Sequence, residues 1–421
     1  MDKQSGRAAR SISAAQWQVV LLCALAQNCT MGFAFGSFGP LLGSTEEHFG
    51  VSRSVATMGM SVIMLAIGGL SPLFGNLLQH VTVRTGMSLG IFLSGVGYWG
   101  LSLTNSFSMA LAMFALIGIG TCLASILGPL TLVSRWFKDN RGKMLSLINL
   151  PILMFITPYL VAWLLPEVGR FTLLGGLGTI CLLLAFLTQL LVEHPPVSTE
   201  SSPPPGTEQA EASAETLGSI FKRPSFWLLS LGIGIMAGSG TAFVVHIVPF
   251  GISKDLTLQA ASGLLSVYAG AGIAGTLLFG WLCDRIGPPA ALVISAASQA
   301  LLWWSFLHAE GASLYMLAAV LGVCIVPLVM LHGAAISQMF DPATVSRAMG
   351  YSYSIKLPFI FGFAPGMGLL FERFGNYDLP FLLTAMMLAT AGVFFYLMLQ
   401  ILRRRRPSLG TKLKPQSGFS E

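Results

Sequence analysis

Twelve stretches of about 18 or more predominantly apolar residues follow one another along the chain, with only short polar intervals between most of them. They run over approximately 17–41, 54–78, 86–103, 108–134, 144–166, 172–192, 226–250, 260–283, 288–307, 313–338, 348–371 and 379–402. A helix of such a run is long enough to cross the roughly 30 Å hydrocarbon core of a bilayer. Only 10% of the 421 residues are charged, against about 25% in soluble domains, and the mean hydropathy is +0.75. The pattern predicts an all-α integral membrane protein whose main partner is the lipid bilayer. A net charge of +6 would suggest nucleic acid only if it formed a face or stripe. Here the charges come in short bursts between apolar runs, so no nucleic-acid partner is expected.

Those bursts fix an orientation. Eighteen cations, from Lys3 through Arg84, Arg135, Arg141, Lys222, Arg285 and Arg347 to the Arg403–Arg406 run and the C-terminal lysines, fall in one alternate set of loops. Four fall in the other set: Arg53, Arg170, Lys254 and Arg373. Positively charged loops stay on the cytoplasmic side, which places both termini and the long central loop in the cytoplasm of a multi-pass protein of the cell membrane. The polar, basic N-terminus and the length of the first run predict a retained helix rather than a cleaved leader. Residues 193–222 are rich in Pro, Ser, Thr, Ala and Glu and read as a flexible linker. The expected divisions are an N-terminal tail (1–16), a six-helix bundle (17–192), a linker (193–225), a second six-helix bundle (226–402) and a C-terminal tail (403–421). All six cysteines lie in apolar runs with no CxxC pair and no His/Cys cluster, so neither a disulfide framework nor a metal site is indicated. No cofactor is called for, and a monomer is expected.

The two halves repeat. Gly75-Asn-Leu-Leu-Gln79-His80-Val-Thr82 follows the second run, and Gly280-Trp-Leu-Cys-Asp284-Arg285-Ile-Gly287 follows the eighth, 205 residues later. Asn149, Pro151 and Pro158 in the fifth run correspond to Lys356, Pro358 and Pro365 in the eleventh, each 207 residues on. Internal repeats of this kind suggest a transporter with its site near the midplane, beside interrupted helices.

Six plus six spans and the loop GWLCDRIG resemble the major facilitator superfamily, whose G-x-x-x-D-R-x-G motif is matched at Gly280, Asp284, Arg285 and Gly287. The first copy is degraded, with Gln79, His80 and Thr82 in place of Asp, Arg and Gly. TMGFAFGSFGPLL, RWFKDNRGKMLSL and KRPSFWLL are similar to the monocarboxylate porter and oxalate–formate antiporter branch. The resemblance implies two pseudo-symmetric six-helix bundles, and a lysine in span 11 that meets a substrate carboxylate. It also implies that Asp284 closes a cytoplasmic gate, with Arg347 as candidate partner, aided by Arg285 and the two glycines. The chain departs from that branch in span 8, which lacks the relatives' charged residues.

No acidic residue falls within the interior of any span, and Lys356 is the one clear intramembrane cation. It lies nine residues beyond Arg347, roughly 13 Å along a helix, which is too deep for its stem alone to return the ammonium to water. A buried cation without a carboxylate needs an anion, and a single cation suits a monoanion. Tyr353, one turn before Lys356, could share that anion through its hydroxyl. His246, His332, Asn28 and Asn149 are the remaining candidates for substrate contact, each with interhelical bonding as the plainer alternative. Gly270-Ala-Gly272-Ile-Ala-Gly275 fits a dinucleotide pattern but lies inside an apolar run, where close helix packing is the better reading. No nucleophile–base–orienter set is present, so the chain is not expected to be an enzyme. The expected function is secondary transport of a small organic anion, a monocarboxylate by charge matching, with either proton symport or anion exchange. An exporter of amphipathic solutes and a non-transporting receptor are the alternatives.

Overall fold

The computed structural model describes residues 13–69, 81–137, 144, 147–192 and 217–405, and they are helical, with no strand among them. Helix α1 (Ala14–Gln27) begins at a capping box between Ser13 and Gln16 and passes through a π-helical turn (Asn28–Gly32) into α2 (Phe33–Phe49). Next come α3 (Arg53–Gly69), α4 (Val83–Leu103) and α5 (Phe107–Thr121), the last continuing through a second π-helical turn (Cys122–Leu127) into α6 (Gly128–Trp136). Helix α7 (Ile152–Thr188) is broken at Gly169, whose φ of 75° departs from the helix. After the short α8 (Leu217–Phe221) come α9 (Pro224–Ser253), α10 (Leu258–Ile286), α11 (Pro288–Ser305), α12 (Ala312–Ile325), α13 (Leu328–Met339), α14 (Pro342–Phe374) and α15 (Asp378–Arg405).

Ten of these segments are long and apolar enough to cross a membrane, and α3 is a shorter apolar helix. Gly169 falls between the expected fifth and sixth spans, so α7 carries two crossings and the described residues account for twelve. Lipid-facing character is evident in side chains left open, such as Phe186 (76% exposed) and Leu277 (75%), which water would not tolerate in such numbers but acyl chains do. The linker 193–216, the degraded loop at Gln79 and His80, and Arg141 lie outside the described residues.

The chain forms two compact units, one of Met1–Val51 with Val62–Glu200, the other of Ser52–Ser61 with Ser201–Glu421. In the second, a cluster of Phe243, Phe250, Trp303, Phe306, Tyr377 and Phe381 stacks edge-on or tilted, with Phe250 and Phe381 4.6 Å apart. Gly275 of α10 allows close approach to α12, since a side chain there would strike the Val323 backbone; the glycine run is packing, as its sequence context indicates. Gly287 ends α10 at φ 87°, donating to the Cys283 carbonyl at 2.9 Å, and starts α11. A side chain would be strained at that angle, which explains the last glycine of the GWLCDRIG loop.

The fifth span differs from expectation. Met144, Leu147 and Ile148 are helical as expected, but the span is interrupted at 149–151 and a new helix begins at Ile152, because Pro151 has no N–H to continue a preceding turn and disfavours helical geometry at Leu150. The break leaves a backbone group that the helix itself does not pair, and Asn28 of the first π-helical turn answers it. Asn28 Nδ2 donates to the Leu150 carbonyl (3.1 Å) and to Ala24 (2.9 Å), while its Oδ1 accepts the Leu153 N–H at 2.9 Å. Asn28 thus acts as an N-cap supplied from another helix. Asn28→Leu should cost about 1–3 kcal/mol by leaving the Leu153 N–H unmet, the Leu150 carbonyl keeping the Ile152 N–H at 2.9 Å. The measurement is the apparent melting temperature of purified protein in detergent, which should fall by several degrees.

Candidate functional site

Helix α14 is continuous from Pro342 to Phe374 despite Pro358 and Pro365, and it stops at Gly375 in a left-handed conformation. Pro365 removes the N–H that would reach the Phe361 carbonyl four residues back. The Ser61 hydroxyl fills that place, donating to Phe361 O at 2.7 Å. The helix runs on without a break and carries Lys356 near its middle.

Lys356 is only 8% exposed, so its stem does not carry the charge to an aqueous boundary. Its Nζ sits 3.3 Å from the centroid of the Tyr353 ring, an arrangement in which the negative π-face takes the place of a counter-ion. No carboxylate is paired with Lys356 among the described residues. The i−3 spacing brings lysine and tyrosine together, and it is the ring face that meets the ammonium.

His332 of α13 is the other neighbour of the Tyr353 ring. Its ring is 5.7 Å from the tyrosine ring, tilted by 39°, and within electrostatic reach of Lys356. His332 Nε2 is 2.8 Å from Ser352 Oγ, and Ser230 Oγ of α9 donates to Ser352 Oγ at 2.9 Å. Ser230 and Ser352 are fully buried. Sequence reasoning missed both serines. The signal available was position: Ser352 is four residues before Lys356, hence on its face of the helix.

His246 belongs elsewhere. Its Nε2 faces the Ala364 carbonyl at 2.9 Å, which can only accept, so Nε2 carries the ring proton. Nδ1 then accepts from the Tyr377 hydroxyl (3.2 Å), whose oxygen accepts from Arg53 Nη1 (3.2 Å). The Arg53 guanidinium also lies 4.4 Å from the Phe371 ring centroid, and Glu372 Oε1 accepts the Ser54 N–H at 2.6 Å. Both ring nitrogens of His246 are thus engaged by the protein, as both ends of the Asn28 amide are. Asn149 is exposed in the turn before Pro151, whereas its repeat counterpart Lys356 sits in an unbroken helix.

At the other end of the second unit, Asp284 and Arg285 are exposed at the end of α10, with Arg285 5.2 Å from the Trp281 ring. Arg347 is exposed near the start of α14 and Gly280 is half-buried in α10. An apolar cleft of about 540 Å³ lined by Phe359, Phe363, Met367, Leu383 and Met387 lies between α14 and α15. It has no charged wall and does not include Lys356. No group of three or more potential metal ligands occurs among the described residues.

Twelve apolar crossings, a helical repeat and a buried cation in mid-helix define a multi-pass membrane transporter. The profile of the Major Facilitator Superfamily matches residues 24–331 and 247–420, and the chain belongs to that superfamily. It is 26% identical over 362 residues to human monocarboxylate transporter 11, covering 83% of this chain and 70% of the relative. It is 22% identical over 352 residues to the cyanate transport protein CynX of Escherichia coli (strain K12), covering 81% and 87%. The solved structure of the nucleoside transporter NupG superposes with a TM-score of 0.73 at 12% identity, covering 91% of this chain and 99% of that one, and so shares the fold. Members of this superfamily transport solutes rather than catalyse reactions, and this chain is not an enzyme.

If His246 is structural, removing its hydroxyl partner should weaken the fold and leave solute affinity alone. Tyr377→Phe should lower the apparent melting temperature, by an amount corresponding to about 1 kcal/mol. The concentration giving half-maximal uptake in proteoliposomes should stay within twofold of wild type, roughly the resolution at which such an effect is readable.

Proposed function

We propose that this protein is a secondary transporter of a small organic monoanion, a monocarboxylate by chemistry, working by alternating access with both termini in the cytoplasm. The observation that carries the reading is the Lys356 ammonium, buried in mid-helix with an aromatic face and no acidic partner. A charge in that position is expensive unless something negative visits it. One cation and no second one nearby match a single negative charge. Two relatives support the same class, since cyanate and monocarboxylates are both small monovalent anions. Tyr353 and His332 complete the site. With no carboxylate in the span interiors, a coupled proton would have to travel on Lys356, a histidine or the substrate itself, and exchange of one anion for another needs no such carrier.

The cytoplasmic gate is assigned to Asp284, Arg285 and Arg347, with Gly280 and Gly287 shaping the loop between α10 and α11. Asp284→Asn should shift the inward–outward equilibrium, read by cysteine accessibility from the two sides of the membrane.

Counterflow of labelled lactate, pyruvate or formate in proteoliposomes tests the reading. Lys356→Gln should reduce counterflow of the preferred monocarboxylate by at least about tenfold, the equivalent of one lost charge-assisted contact. Full activity in that variant, or movement of dicarboxylates with monocarboxylates ignored, would overturn the assignment.

A further inference from the structure

We infer that Ser230 and Ser352 fix His332 as a neutral hydrogen-bond donor beside Lys356, and that this second donor adapts the site to the paired oxygens of a carboxylate rather than to a linear anion. The inference rests on the reading of Lys356 as the counter-charge for a monoanion.

A proton count along three atoms carries it. Ser230 Oγ donates to Ser352 Oγ at 2.9 Å. Ser352 has a single hydroxyl proton, and its other contact is His332 Nε2 at 2.8 Å. If Nε2 held the ring proton, Ser352 would accept twice and its own proton would have no acceptor in a fully buried position, which is costly. With Ser352 donating, every hydrogen in the chain has a taker. His332 Nε2 is then the acceptor, and the proton of the neutral ring resides on Nδ1.

That proton is left over. No described residue accepts from His332 Nδ1, and none accepts from Lys356 Nζ. Tyr353 touches both, with the ammonium 3.3 Å and the imidazole centroid 5.7 Å from its ring centroid. Tyr353 is also the partly exposed member of the group. The cluster therefore offers one positive donor and one neutral donor that share an aromatic neighbour, neither of them with an acceptor among the described residues. A carboxylate has two equivalent oxygens on one carbon and can meet both donors. A linear anion such as cyanate or thiocyanate presents its acceptors at opposite ends and can meet one. Ser230 and Ser352 are positioning residues in this scheme, acting on the solute only through the imidazole.

The test is the ratio of half-inhibitory concentrations of thiocyanate and pyruvate, each competing against labelled pyruvate counterflow in proteoliposomes. Wild type should favour pyruvate by about tenfold or more, the worth of one good hydrogen bond. Ser352→Ala should bring the ratio close to one, and Ser230→Ala should move it less, because Ser352 can still donate to Nε2. A purely structural role would lower stability and maximal rate for both anions alike and leave the ratio unchanged. A wild-type preference for thiocyanate, or an unchanged ratio in Ser352→Ala, would overturn the inference. Should Ser352→Ala fail to yield monodisperse protein, His332→Asn, whose amide nitrogen falls near Nδ1, should keep the preference that His332→Leu loses; equal ratios in the two would overturn it. Lys356→Gln separates the layers: undiminished counterflow there removes the site assignment, whereas a Lys356-dependent activity with an unmoved Ser352→Ala ratio removes only the role of the histidine.

Discussion

Hydrocarbon offers no water to a stranded backbone group, and that constraint shapes the structure at each place where a helix is interrupted. Pro151 stops a helix and leaves the Leu153 N–H to be met; the Asn28 amide meets it and also donates to the Leu150 carbonyl. Pro365 deletes a donor within α14, and the Ser61 hydroxyl substitutes for it. In each case a backbone group that a proline leaves without its helical partner is met by one short polar side chain reaching from another helix. The two responses differ in kind. The fifth span is broken and re-capped, whereas the eleventh is mended and stays one rod, and it is the mended rod that carries the charge.

The same accounting separates the two buried histidines. Both are enclosed in apolar surroundings and both hydrogen-bond to their neighbours. His246 lies between an acceptor, the Ala364 carbonyl, and a donor, the Tyr377 hydroxyl, so its two nitrogens are complementary to the protein and nothing is left over. His332 is bonded on one nitrogen only. A buried polar network that is complete rigidifies the fold, and one that is short of a partner points to where a partner arrives. By this criterion the cluster of Lys356, Tyr353 and His332 is incomplete in a specific way: it lacks acceptors.

Much of this was legible in the sequence because the bilayer imposes long periods. Length of apolar runs gave the crossings, and the pair of glutamate and glycine at 167 and 169 between two runs marks where α7 bends. The final glycine of GWLCDRIG was recognisable as a motif, and the positive φ of Gly287 supplies its reason. Lys356 stood out because a charge in such a run has few bland explanations. What could not be read were contacts between residues far apart in the chain. The Asn28 amide looked as suited to a solute as to a backbone break, since nothing local to NCTMG reveals Leu150 and Leu153. Ser61, Ser230 and Ser352 were invisible for the opposite reason: serines are common in membrane helices, and only the proline four residues past Phe361, or a histidine across the bundle, gives any one of them a task. The spacing that puts Tyr353 one turn before Lys356 is read from the sequence, whereas the contact of its ring face with the ammonium is visible only in the structure.

The ring under Lys356 has a consequence for speed. An ammonium held by a carboxylate would have to give up several kcal/mol before it could turn to a solute, and a solute strong enough to compete would then be slow to leave. A π-face holds a desolvated cation by about 2 kcal/mol, enough to keep the charge from being stranded yet weak enough to be displaced. For the anion proposed to bind Lys356, the ring would take the ammonium back on departure and lower the barrier to emptying by a similar amount, roughly a thirtyfold gain in dissociation rate. Tyr353 would in that sense be a resting place that keeps the carrier from becoming a trap.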